Sequence, residues 1–132
     1  LQVAAMQREC IELQNQANTT DGTVERSFLH VLDACDAVLA SLHWLSTQQG
    51  CLESFNIAHN DLTSISKLIE EISKVTKMEI RVQPAVYQHE ELSQLGANID
   101  KAAKILNWTP KRSLTQMIED EWRFYLNILK GN

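Results

Sequence analysis

Arg26 is the residue in this 132-residue chain best suited to hold a ligand. Its guanidinium never loses its charge and presents a planar fork of donors, which matches the oxygens of a diphosphate. Asp21, Glu25 and Asp33 lie nearby in sequence, so a plain surface ion pair is the competing role. Asp33 and Asp36 stand three apart, and two such carboxylates can do acid–base work. At the start of a helix, however, the same two acids complement the helix dipole, which is the commoner reason for them. We therefore read Asp33 as a helix cap. His30, His43, His59 and His89 are scattered without an H-x-x-x-H, and Cys10, Cys35 and Cys51 contain no C-x-x-C. No metal centre is expected from that spacing, and His30 reads as a packed strand residue.

The elements that must position Arg26 are short. Asp21-Gly22 is a turn dipeptide, and Ser27 to Val31 reads as a strand with Phe28 and Leu29 as its bulky residues. Val31, Cys35, Val38, Leu42 and Leu45 recur at helical steps, which predicts a helix over residues 33–47 whose core stripe they form. Trp44 lies off that stripe. Upstream, Val3, Met6, Cys10 and Leu13 predict a helix over residues 2–14, followed by a polar loop or weak edge strand over 14–20.

Downstream, Ser54 to Ala58 reads as a buried strand, and Thr63 or Ser64 caps a helix with the stripe Ile65, Leu68, Ile69, Ile72 and Val75. Glu79 to Gln83 alternates polar and apolar residues, predicting a strand that Pro84 ends. A helical crossover makes it parallel to the 54–58 strand. Asp100 caps a short helix to Leu106, and Asn107 to Pro110 breaks it. Ser113 and Gln116 form a capping box that opens a last helix with the stripe Leu114, Met117, Ile118, Trp122, Tyr125 and Leu129. The expected fold is a single small α/β domain of four to five helices with short strands, including a parallel βαβ unit.

A net charge of −5 and a pI near 5.3 argue against nucleic acid or an anionic membrane as partner. Three cysteines are an odd number, read as buried free thiols in a reducing cytosol. No apolar run approaches the roughly 18 residues of a membrane helix, and no signal-peptide pattern opens the chain, so a soluble cytoplasmic protein is expected. The chain starts at Leu1 inside an amphipathic pattern, which reads as part of a longer one.

The pattern D-G-x-x-x-R-x-F-x-H-V-x-D-x-x-x-A from Asp21 to Ala37 resembles the carboxy-terminal, substrate-binding part of the nucleotide-sugar epimerases and dehydratases, a family of extended short-chain dehydrogenases/reductases. Phe55-Asn-Ile-Ala58 and Asp100 through Trp108-Thr-Pro110 are similar to further segments of that family. The resemblance implies that Arg26 lies near a sugar nucleotide. It also implies that Gln88 and Glu91 occupy the positions of the family's R-x-x-D, which holds the nucleotide. Glutamine in place of arginine removes a charge-assisted contact worth about 1.5–3 kcal/mol. Ala58 replaces a family glycine, and the 14–20 segment is polar where the family has a short apolar strand.

The family's dinucleotide loop, G-x-x-G-x-x-G, and its Tyr-x-x-x-Lys pair do not occur here: Tyr87 and Tyr125 are followed four residues on by Glu91 and Leu129. NAD or NADP is thus implied for a complete family member, and no cofactor and no catalytic residue for this chain. The resemblance therefore implies a substrate-binding portion that is not catalytic alone, or else a stand-alone binding or interaction module of the same fold. A missing dinucleotide-binding domain or a second copy is then the expected partner. Trp44, Leu52 and Trp108 are candidates for the covered face, and the amino-terminal helix is a candidate for exchange.

Overall fold

A computed structural model describes residues 10–14, 23–85 and 92–130. In chain order the elements are β1 (Ile11–Gln14), β2 (Glu25–Arg26), α1 (Val31–Ser46), β3 (Thr63–Ser64), α2 (Ile65–Thr76), β4 (Val82–Ala85), β5 (Gln94–Leu95), α3 (Asp100–Leu106) and α4 (Leu114–Lys130). One sheet pairs β1 with β4 in parallel; the other has the order β3-β2-β5, with β2 antiparallel to β3 and parallel to β5. This is the expected small α/β architecture with parallel pairing, but the strands are partnered differently. Ser54 to Ala58 forms no strand, and β4 lies instead against β1.

Ile11 to Gln14 belongs to that strand and not to a helix reaching residue 14, because Ile-Glu-Leu-Gln also has the period of two that a ladder requires. The rest of the expected amino-terminal helix, the polar 15–20 segment and the Asp21-Gly22 turn lie outside the described residues. Pro84 sits within β4, opposite Leu13, and does not end it. In a two-stranded sheet each strand has an open edge, where a residue without N–H is tolerated.

The strand expected at Ser27 to Val31 is displaced to Glu25–Arg26, and α1 starts at Val31. Its cap is His30, not Asp33: His30 is extended at φ −67° and ψ 138°, and its Nδ1 accepts from the Leu32 amide at 3.0 Å. An imidazole nitrogen thereby does the work of an asparagine oxygen. With Nδ1 accepting, the neutral ring carries its proton on Nε2, which meets Asp120 Oδ2 at 3.2 Å. His30 is buried, as expected of a packed residue, though not in a strand. His30→Ala is expected to lose about 1–2 kcal/mol of stability in urea titrations, and His30→Asn, which restores only the cap, to recover about half of that.

The core gathers Ala37, Ala58, Ile99, Ala102, Leu106 and Trp108, with Leu29, Ala40, Trp44, Phe55 and Ile57 packed around them. Ala37 of α1 and Ala102 of α3 are almost fully buried, small residues that let the two helices approach. Trp44 is turned to this inner side and meets Phe55 edge-on, with ring centroids 5.4 Å apart. The face of α1 expected to be its core stripe points outward instead: Val31, Val38, Leu42 and Leu45 are 69%, 59%, 58% and 50% exposed. Cys35 and Cys51 are exposed and Cys10 half-buried, so the thiols are free, but the first two are not buried.

The second half follows its sequence closely. Ser64 Oγ caps α2 by accepting from the Lys67 amide at 3.1 Å, and Lys77 closes it in the left-handed region at φ 58°. Asn107 does the same for α3 at φ 52°. The start of α3 is one detail that differs. Ile99 occupies the cap position, and it is Asn98 Oδ1 that accepts from the Asp100 amide. The Ser113–Gln116 capping box is reciprocal, with Ser113 N donating to Gln116 Oε1 at 2.9 Å and Gln116 N to Ser113 Oγ at 3.2 Å. α4 packs along α2, where Thr115 Oγ1 donates to Glu71 Oε1 at 2.6 Å.

Candidate functional site

Arg26 stands on β2, the middle strand of the three-stranded sheet. Its neighbours in register are Thr63 on β3 and Leu95 on β5. The side chain is half-buried, and Nη1 donates to the carbonyls of Glu25 at 2.9 Å and Leu92 at 3.1 Å. Glu25, the nearest acid in sequence, has its carboxylate engaged by Gln94 across the β2–β5 pair. Arg26 is therefore anchored on two backbone oxygens, which fix the position of a permanent positive charge. A guanidinium held in this way is suited to receive an anion. Gln88, Glu91 and Asp21 lie outside the described residues. Leu92, to which Arg26 is tied, is the residue after Glu91.

Asp33, by sequence a competing partner for Arg26, is engaged elsewhere. It is fully buried. Its Oδ2 accepts from the amides of Lys111 at 3.2 Å and Arg112 at 3.0 Å, and its Oδ1 from Arg112 Nη1. Arg112 Nη1 also reaches Asp36 Oδ2 at 3.2 Å, while Trp108 Nε1 donates to the Asp33 carbonyl at 3.0 Å. Burial pushes the Asp33 carboxyl upward, but the amide and guanidinium of Arg112, with the Lys111 amide, outweigh it and hold the group below the usual carboxylate range. Asp33 and Asp36 thus clasp α1 to the segment between α3 and α4. Arg112 is 79 positions from Asp33, and no local spacing announces the pairing.

Among the described residues no cluster of three His, Cys, Asp or Glu side chains could hold a metal ion, and no helix is long and apolar enough to cross a membrane.

The sequence profile of the GDP-mannose 4,6 dehydratase family matches residues 2–121. The UDP-glucose 4-epimerase of Rhizobium meliloti is 31% identical over 114 residues, which are 86% of this chain and 34% of that protein. The human UDP-glucose 4-epimerase is 29% identical over 124 residues, 93% of this chain and 35% of that protein. Among solved structures, the UDP-glucose-4-epimerase of Stenotrophomonas maltophila, with bound NAD and formylated UDP-arabinopyranose, superposes with a TM-score of 0.89 at 23% identity, covering 99% of this chain and 39% of that one. The chain thus spans little more than a third of the length of the relatives it matches. On the match across residues 2–121, it belongs to the nucleotide-sugar epimerase/dehydratase family of extended short-chain dehydrogenases/reductases.

Proposed function

We propose that this chain is the substrate-binding portion of a nucleotide-sugar epimerase or dehydratase and is not catalytic by itself. Arg26 holds the diphosphate of the nucleotide sugar, and Gln88 and Glu91 assist it. The observation that carries this reading is the Arg26 side chain, half-buried on a central strand and tied through the Leu92 carbonyl to the chain that follows Glu91. The family match and the solved relative that holds NAD and a UDP-sugar derivative support the ligand class. The sequence carries neither the G-x-x-G-x-x-G loop nor a Tyr-x-x-x-Lys pair, so binding, not chemistry, is the part we assign to it. Its setting is the cytoplasm, in keeping with three free thiols.

Isotope-labelled protein titrated with UDP-glucose is expected to show saturable shifts around β2 and β5, weakened at least about tenfold in Arg26→Ala, as for loss of a charge-assisted hydrogen bond. Undiminished shifts in the variant would remove Arg26 from the site. The same titration with NAD or NADP is expected to be silent.

The exposed α1 stripe favours an additional role in assembly. In a chain of the relatives' length, we assign that face to contact with the remaining part. In this chain alone, we assign it to a second copy, giving a homodimer. Trp108 and Trp44 are packed in the core and are not part of the face, whereas Leu52 is 99% exposed.

A further inference from the structure

The geometry points to a second anion site, separate from Arg26: we propose that the cleft between the 59–63 turn, the first turn of α2 and the Pro110–Leu114 segment binds a phosphoryl group. The cleft has a volume of about 340 Å³, and its polar lining includes His59, Asp61, Thr63, Lys67, Lys111 and Arg112. Arg26 does not line it.

Thr63 supplies the observation that marks the cleft as a site. The residue is only 8% exposed, yet its hydroxyl has no hydrogen-bond partner among the described residues. Buried hydroxyls are nearly always paired, so this one calls for an oxygen that the described residues do not provide. The other lining groups are donors of matching character. His59 Nδ1 accepts from the Asp61 amide at 3.1 Å, which places the proton of the neutral ring on Nε2 and leaves it to donate. Arg112 commits Nη1 to Asp33 and Asp36, while its Nε and Nη2 have no partner among the described residues. The ammonium groups of Lys67 and Lys111 make no ion pair there either.

Asp61, whose side chain is 83% exposed and screened by water, is the acid in the cleft lining, while Asp33 and Asp36 engage Arg112 and Glu71 acts on Lys67 from outside that lining. The cleft also includes the first residue of the 17-residue helix α4, whose amino terminus adds partial positive charge. The donors left over, Thr63 Oγ1, His59 Nε2, Arg112 Nε and Nη2 and the two ammonium groups, converge on a cleft with one acid in its lining and suit a tetrahedral oxyanion with several acceptor oxygens. Free phosphate and a phosphomonoester share that chemistry.

The test is a titration of labelled protein with inorganic phosphate, and in a parallel arm with glycerol phosphate, at constant ionic strength set with sodium chloride. Saturable shifts of the Thr63 methyl and the His59 imidazole are expected at millimolar concentration in at least one arm. The double variant Lys67→Ala/Lys111→Ala, which alters only exposed ends, is expected to bind at least tenfold more weakly. Thr63→Val, which keeps the shape and removes the hydroxyl, is expected to weaken binding as well. Because Thr63 stands opposite Arg26 across the β2–β3 pair, the His59 imidazole is the reporter that separates the two readings: its saturable phosphate shifts are expected whether or not UDP-glucose binds at Arg26, which does not line the cleft. Shifts that fail to saturate in both arms, or full affinity in the double lysine variant, would overturn the proposal.

Discussion

Asp33→Ala is expected to destabilise the fold by about 3–5 kcal/mol, the range for removing one partner of a buried, hydrogen-bonded charge pair. The carboxylate accepts from two backbone amides and one guanidinium, so its loss leaves the Lys111 and Arg112 amides without their acceptor and Arg112 with Asp36 alone. Asp33→Asn keeps the shape and one acceptor oxygen, and about half of that loss is expected. Asp36→Ala is expected to lose less than about 1 kcal/mol, since its side chain is 41% exposed and water screens the pair. The sign of the pH effect is set by the lowered pKa of Asp33. Its contribution is fully present above the ordinary carboxyl value of 3.8 and is lost as pH falls through the lower folded-state value. Urea titrations between about pH 7 and pH 2.5 should show a steep acid limb in the wild type and a shallower one in Asp33→Asn. Equal limbs would show that the clasp does not depend on the charge.

The clasp also explains why some of this molecule was legible in its sequence and some was not. Caps set by residues within three positions could be read directly: Ser64 on α2 and the Ser113–Gln116 box on α4 are local chemistry, and both are formed. Where two local patterns competed, periodicity chose wrongly. Cys10 and Leu13 fit a helix stripe, but Ile11 to Gln14 fit a strand equally well, and the decision was made by Val82 to Ala85, about 70 residues away. Asp33 was legible as an acid at a helix start; that its partner is Arg112 was not, because the contact exists only after α3 and α4 have folded back. The family resemblance added an expectation that spacing could not, a ligand role for Arg26, which stands here as a proposal. The structure then supplied its anchors at Glu25 and Leu92, which are backbone oxygens and leave no mark in a sequence.

The same failure of periodicity on α1 leads to the largest effect expected on assembly. Val31, Leu32, Val38, Leu39, Leu42 and Leu45 are all between 47% and 69% exposed, on a helix of 16 residues about 24 Å long. Asp33 is turned inward, so the outward stripe is almost free of charge. Contiguous apolar area of this extent is unusual on a monomer, and burying a valine or leucine side chain fully contributes about 1.5–3 kcal/mol. A stripe without charge is complementary to itself, and two copies can cover it by packing α1 against α1 about a twofold axis. Light scattering after gel filtration is expected to give twice the chain mass of 15.0 kDa at micromolar concentration. The double variant Val38→Glu/Leu42→Glu brings four carboxylates into the middle of that contact, and should raise the dissociation constant at least about a hundredfold, equivalent to about 2.8 kcal/mol. Its thermal unfolding at low concentration should match the wild type, because both positions face water in the monomer. A wild-type chain that stays monomeric at hundreds of micromolar would show that the stripe does not pair with itself, and would assign it to the part of the relatives' length that this chain does not span.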